Sequence, residues 1–278
     1  MKLTKEKIKE FEEHLKAEEK SQLTIEKYVR DVTLFKLWLD EKKADKQTIV
    51  GYKNFLTRNY AVSSVNANIS SLNSFFSYCN KSELKIKTVR CQRKIFISEQ
   101  KNLTRDEYEH LIEIAEKENS RRLSLIMQTI CATGIRISEL KFVTVEAICL
   151  GQAEINCKGK QRLVILPKKL CAILREFANK TGVKSGSIFI SRNGNPLDRS
   201  NVWSEMKNLC KKAGIPPEKV FPHNLRHLFA RTYYSSLKDI VRLSDILGHS
   251  SLNTTRIYTM ETGEIHRKQI EGLGLLRC

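Results

Sequence analysis

Apolar residues return every three or four positions at Ile25, Val29, Val32, Phe35 and Leu39, with Thr24 placed to cap the run. That spacing predicts an amphipathic helix. A second stripe, Val65, Ile69, Leu72, Phe76 and Cys79, lies opposite a side of small polar residues: Asn66, Asn68, Ser70, Ser71, Asn73 and Ser74. Further on, Thr104 and Glu107 form a capping box ahead of Leu111 and Ile114. Leu123 to Thr133 reads as an apolar helix stopped by Gly134, and Glu154 to Leu166 as two short strands around a glycine turn. Helices are expected near 168–180, 200–213 and 223–236. One more has Ile240, Leu243 and Leu247 as its apolar side and ends at Gly248. The pattern predicts a mainly α chain with a small β-sheet.

Glycine and proline sharpen the division. Residues 1–100 hold one glycine, Gly51, and no proline, whereas the other eleven glycines and all five prolines lie beyond. At about 150 residues per domain, 278 residues suggest two domains. Residues 1–83 are expected to form a helical domain and 101–278 a second domain with turns and some strand. Between them, 84–100 is expected to be a basic linker; Lys81 to Lys94 carries six basic residues against the single acid Glu83.

Charge narrows the choice of partner. The net charge is +18, and both halves contribute, +7 from residues 1–100 and +11 from the remainder. A long polyanion such as DNA would touch both, although a basic surface kept for solubility would look the same. The Asn/Ser face near residue 70 fits either solvent or a DNA backbone. No run of 18 apolar residues exists, so no membrane span is expected. Met1-Lys-Leu-Thr-Lys-Glu opens no apolar signal segment, and the eight cysteines contain no Cys-x-x-Cys pair. A cytoplasmic protein with reduced thiols is expected.

Three patches gather groups able to handle a phosphate. In Ala132-Thr-Gly-Ile-Arg-Ile-Ser-Glu-Leu140, Arg136 and Glu139 fall three apart on one face of the helix expected after Gly134. A guanidinium fork matches two phosphate oxygens and a carboxylate can hold it, though a local surface ion pair would have the same spacing. In Pro222-His-Asn-Leu-Arg-His-Leu228, a proline helix start puts His223, Arg226 and His227 on one face. The two histidines have ligand spacing for a metal, but no third ligand is evident and the guanidinium between them would repel a cation. In the third, Gly248 and His249 follow the cap of a helix, and Tyr258 comes nine residues after His249.

Taken together, these patches closely resemble the tyrosine recombinases of the phage integrase family, above all the Xer-type and mobile-element integrases. The family's Thr-Gly-x-Arg-x-Ser-Glu-Leu box stands here as Thr133 to Leu140, its His-x-Leu-Arg-His box as His223 to His227, and its Leu-Gly-His with a later Tyr as Leu247 to His249 and Tyr258. The resemblance extends to Thr24, Tyr28 and Phe35 and so covers nearly the whole chain. It implies a helical SAM-like core-binding domain followed by an α+β tyrosine-recombinase catalytic domain. One feature departs from the family's common form. Lys158-Gly159 is followed by two residues, not three, before Arg162, so Lys158 is assigned as the family's hairpin lysine with Lys160 in reserve.

The resemblance further implies that Tyr258 attacks a DNA phosphate, leaving a 3′-phosphotyrosine and a free 5′-hydroxyl. Arg136 and Arg226 would clamp the phosphate, His249 would donate to it, His223 would help take the tyrosine proton, and Lys158 would protonate the leaving oxygen. Glu139 would support the cluster. No metal, ATP or other cofactor is implied, and the sequence has no Walker loop and no clustered carboxylates. The implied partners are double-stranded DNA with inverted-repeat core sites and further protomers, four on the DNA, of this chain or a paralogue. The stretch 264–276 would dock in a neighbour or else pack on its own domain. Competing readings are a type IB topoisomerase, which shares the chemistry, and a DNA-binding regulator, which would be expected to have lost at least one of the six groups.

Overall fold

The computed structural model describes residues 1–40, 42–90, 102–157, 160–191, 194–195, 197–258 and 271–273. Two compact units divide the chain, Met1–Arg93 and Lys94–Cys278. The first is built from α1 (Lys5–Ala17), α2 (Gln22–Leu39), α3 (Lys46–Asn59) and α4 (Val62–Tyr78). Thr4 and Asp45 cap α1 and α3 through side-chain oxygens. Thr24 does not cap α2, which begins three residues earlier than its apolar stripe suggests; Ser21 is the N-cap and its hydroxyl meets that of Thr24 at 2.8 Å. Phe11, Phe35, Phe75 and Phe76 are fully buried, with the rings of Phe11 and Phe75 packed edge to face at 5.2 Å.

The polar side of α4 does something periodicity alone does not specify. Asn66 and Asn73 each make a pair of hydrogen bonds to backbone, Asn66 to both groups of Val89 and Asn73 to both groups of Ile86. Ser71 donates to Asp31, which also takes Lys27 at 2.6 Å, tying α2 to α4. Leu84 and Ile86, expected in the linker, are buried in this unit's core. An extended segment without its own ladder needs partners for its backbone groups, and the two asparagines supply them.

The second unit begins with α5 (Arg105–Lys117), where the Thr104–Glu107 capping box is present, and α6 (Arg121–Thr133). A 3₁₀ turn, Ile137–Phe142, and α7 (Val145–Leu150) lead into a hairpin of β1 (Gln152–Cys157) and β2 (Lys160–Ile165). The strands are antiparallel, in a register running from Gln152 opposite Ile165 to Cys157 opposite Lys160. They bury Ala153, Ile155 and Val164 and leave Leu163 and Ile165 exposed. The chain continues with α8 (Lys168–Thr181), α9 (Arg199–Ala213), α10 (Pro222–Leu237), α11 (Ile240–Leu247) and α12 (Leu252–Thr255). α6 contributes Leu125, Ile126 and Ile130 to the core and packs against α10, whose Leu225 meets them. A smaller cluster of Ala230, Leu243, Leu247 and Tyr258 gathers Phe229, Tyr233 and Tyr234 around it. No helix among the described residues is long and apolar enough to cross a membrane.

Candidate active site

Two helix ends build the floor of the site. α6 stops at Gly134 and α11 at Gly248, both in the left-handed region, with φ of 64° and 63°. Neither position has room for a side chain. A Cβ on Gly134 would stand 2.5 Å from the Phe229 ring, and one on Gly248 would meet Arg162. Arg226, on the first turns of α10 and 1% exposed, forks between these ends. Its Nη1 donates to the Gly134 carbonyl at 2.5 Å and its Nη2 to the Leu247 carbonyl at 2.7 Å. We therefore expect Gly134→Ala to cost about 1–2 kcal/mol for the left-handed backbone and a further ~1–3 kcal/mol for displacing Phe229. Urea unfolding midpoints measure the loss.

Arg136 caps the 3₁₀ turn rather than lying within a helix, because the extended backbone at Arg136 starts that turn. Glu139 reaches back to it twice, accepting the Arg136 backbone N–H at 2.9 Å and its Nη1 at 2.9 Å. Glu139 is itself 3% exposed and also accepts Nη2 of Arg162 at 2.6 Å. Burial would raise this carboxyl, but the backbone N–H of Arg136 and the two guanidinium groups win and hold it below the usual range. Arg162 spans onward to the Ile246 carbonyl at 2.6 Å, which fastens β2 to the end of α11. In sequence Arg162 marks only the spacing of the hairpin; the structure brings it onto Glu139. Its place at the end of the lysine hairpin is the sequence signal that could find it.

Three imidazoles complete the cluster. His223 and His227 pack edge to face at 4.5 Å, and His227 packs edge to face on Tyr258 at 4.6 Å. The His249 ring lies nearly parallel to Tyr258 at 6.1 Å. Its Nε2 is 3.1 Å from Arg226 Nη2 and its Nδ1 2.8 Å from the Thr255 hydroxyl. Burial, and next the neighbouring Arg226, lowers His223 and brings His249 to about 4. Burial beside His223 brings His227 to about 3. All three rings are neutral near pH 7, able to take a proton but not bearing charge. Arg226 is pushed down to about 10 by burial and by Arg136, and remains a cation.

Arg136, Glu139, His223, Arg226, His249 and Tyr258 thus meet in one place, and His227 stands between His223 and Tyr258 as an addition. Thr255 is a second addition, hidden in sequence within a run of polar residues. Tyr258 is 4% exposed. A cavity of about 650 Å³ opens beside the cluster, lined by Arg136, Ser138, His223 and Arg226 with Arg199 and Trp203 of α9. Lys158 and Gly159 lie outside the described residues, as do the side chain of Lys160 and residues 264–270 and 274–276.

The second unit thus gathers three guanidinium groups, three imidazoles and a buried tyrosine, groups of the kind that can hold a phosphate and attack it. A family model for the phage integrase family matches residues 101–264, and one for the phage integrase N-terminal SAM-like domain matches residues 8–82. The tyrosine recombinase XerA of Thermococcus kodakarensis is 30% identical over 98% of this chain and 96% of its own length. XerA of Pyrococcus furiosus is 28% identical over 99% and 96%. The chain belongs to the phage integrase family of tyrosine recombinases, with Xer recombinases among its relatives. In fold it is similar to a lambda integrase tetramer bound to a Holliday junction, with a TM-score of 0.73 over 91% of this chain and 76% of that one at 19% identity.

Proposed function

We propose that this protein cuts and rejoins duplex DNA at specific sites through a covalent bond to Tyr258. The observation that supports the reading is a single cluster in which His227 and His249 pack on Tyr258, Arg226 meets His249, and Arg136, His223 and Arg226 line one cavity. The phenol oxygen attacks phosphorus, the bond to the 5′-oxygen breaks, and a 3′-phosphotyrosine forms. Arg136 and Arg226 hold the non-bridging oxygens, where charge develops, and His249 donates a further hydrogen bond. Neutral His223 helps take the tyrosine proton, with His227 bridging the two rings. Lys158 gives a proton to the departing 5′-oxygen, with Lys160 as the alternative donor. Glu139 keeps Arg136 aimed while Arg162 holds the hairpin to the same carboxylate. The 5′-hydroxyl of another strand then reverses the chemistry, so the bond energy is conserved without ATP.

Residues 1–83, with the strap from Leu84 to Val89 packed on them, serve as the core-binding domain, and 101–278 as the catalytic domain. Four protomers act on inverted-repeat sites in the cytoplasm, with 264–276 docking in a neighbouring protomer. The lambda integrase captured as a tetramer on a Holliday junction supports this assembly. A pool of nicked duplexes of random sequence tests the chemistry, because loss of the short 5′-hydroxyl fragment traps the adduct. With EDTA present and ATP omitted, protein-linked DNA is expected after denaturation, joined through its 3′ end, and sequencing it gives the site. Absence of an adduct, or an adduct that requires magnesium, overturns the reading.

A further inference from the structure

Thr255 is fully buried at the end of α12, three residues before Tyr258. Its hydroxyl is 2.8 Å from Nδ1 of His249, whose Nε2 lies 3.1 Å from Nη2 of Arg226. A guanidinium nitrogen donates and has no lone pair to offer. Nε2 must therefore accept, so in the free protein the ring proton sits on Nδ1 and is given to Thr255. With His249 held at about 4, the ring is neutral near pH 7 and has one donor nitrogen only. Donating to a phosphate, however, needs the proton on Nε2, the nitrogen that faces Arg226.

We propose that Thr255 is a positioning residue that lets His249 exchange tautomers. Its hydroxyl accepts from Nδ1 in the free protein and donates to Nδ1 when a DNA phosphate draws the Arg226 donors away and takes a hydrogen bond from Nε2. This rests on the reading of His249 as a phosphate donor. Nδ1 gives its proton to solvent and Nε2 takes one from solvent, so the ring stays neutral, and the hydroxyl merely turns. A hydroxyl both donates and accepts. A carboxylate in its place would only accept and would lock the resting tautomer, and a valine of the same shape would do neither.

The test compares Thr255→Val, Thr255→Ser and His249→Ala on a nicked duplex recovered from the random pool. Thr255→Val is expected to slow single-turnover adduct formation by about 10–100-fold, as loss of a partner that orients an imidazole does elsewhere. DNA affinity should be unchanged, and Thr255→Ser should restore the rate. Nitrogen-15 spectra of labelled histidines, taken in Tyr258→Phe so that the duplex stays whole, should show His249 protonated on Nδ1 alone when free and on Nε2 alone on DNA. Adding Thr255→Val should abolish that switch. A ring already protonated on Nε2 in the free protein, or on both nitrogens on DNA, overturns the proposal. So does Thr255→Val cleaving at the full rate while His249→Ala does not. Full-rate cleavage by His249→Ala instead overturns the underlying reading of His249, and the proposal with it.

Discussion

Tyr258→Phe is expected to remove the protein–DNA adduct while the protein still folds and still binds DNA. The substitution deletes one oxygen and keeps the ring that packs with Leu243 and Leu247 and against His227 and His249. Loss of a single hydroxyl should change stability by no more than about 1 kcal/mol. Loss of a nucleophile should lower cleavage by at least ~10³-fold, as removal of a covalent catalyst does in other enzymes. Urea unfolding and DNA affinity give the controls, and denaturing gels of the trapped duplex give the result. The half-buried Tyr233 and Tyr234 sit against the same cluster on α10, and their Phe variants should still form the adduct. An adduct that survives in Tyr258→Phe would assign the nucleophile elsewhere.

The two arginines should separate sharply. Arg226→Lys is expected to reduce cleavage by about 10²–10³-fold, the usual cost of losing one oriented donor on a developing charge. It should also lower stability by ~1–3 kcal/mol, because an ammonium cannot reach the Gly134 and Leu247 carbonyls together and leaves a buried acceptor without its partner. Arg136→Lys should lose cleavage to a similar degree with little change in stability. Its side chain is 39% exposed, and Glu139 keeps Arg162 as a partner. Single-turnover rates and urea midpoints for the pair distinguish these outcomes. Equal stability loss in both variants would contradict the structural roles drawn for them.

Local signals were legible wherever a residue acts within its own turn. The Thr104–Glu107 box, the stops at Gly134 and Gly248, the hairpin and the helices after it could be read because caps and periodicity are set by near neighbours. The mainly α fold and the recombinase family followed from those elements and from the spacing of three boxes. Polar residues were harder. A helix pattern says that Asn66 and Asn73 face away from the apolar stripe, but not that a strap from Leu84 to Val89 will lie across them. The same limit hid Arg162, whose partners are 23 and 84 residues away. His227 closes the His-x-Leu-Arg-His box, but that box does not say that its ring will pack on Tyr258; Thr255 carries no motif, and only its contact with His249 gives it a place.

The fork made by Arg226 also sets an order of assembly during synthesis. Its acceptor at Gly134 leaves the ribosome 92 residues ahead of it, and the carbonyl at Leu247 emerges 21 residues after. Each contact closes a loop whose entropy must be met before the contact repays it. A nascent chain that ends before Leu247 therefore has Arg136 and the hairpin but no assembled cradle and no Tyr258. With Tyr258 as the proposed nucleophile, a chain stalled before it is expected to leave DNA uncut.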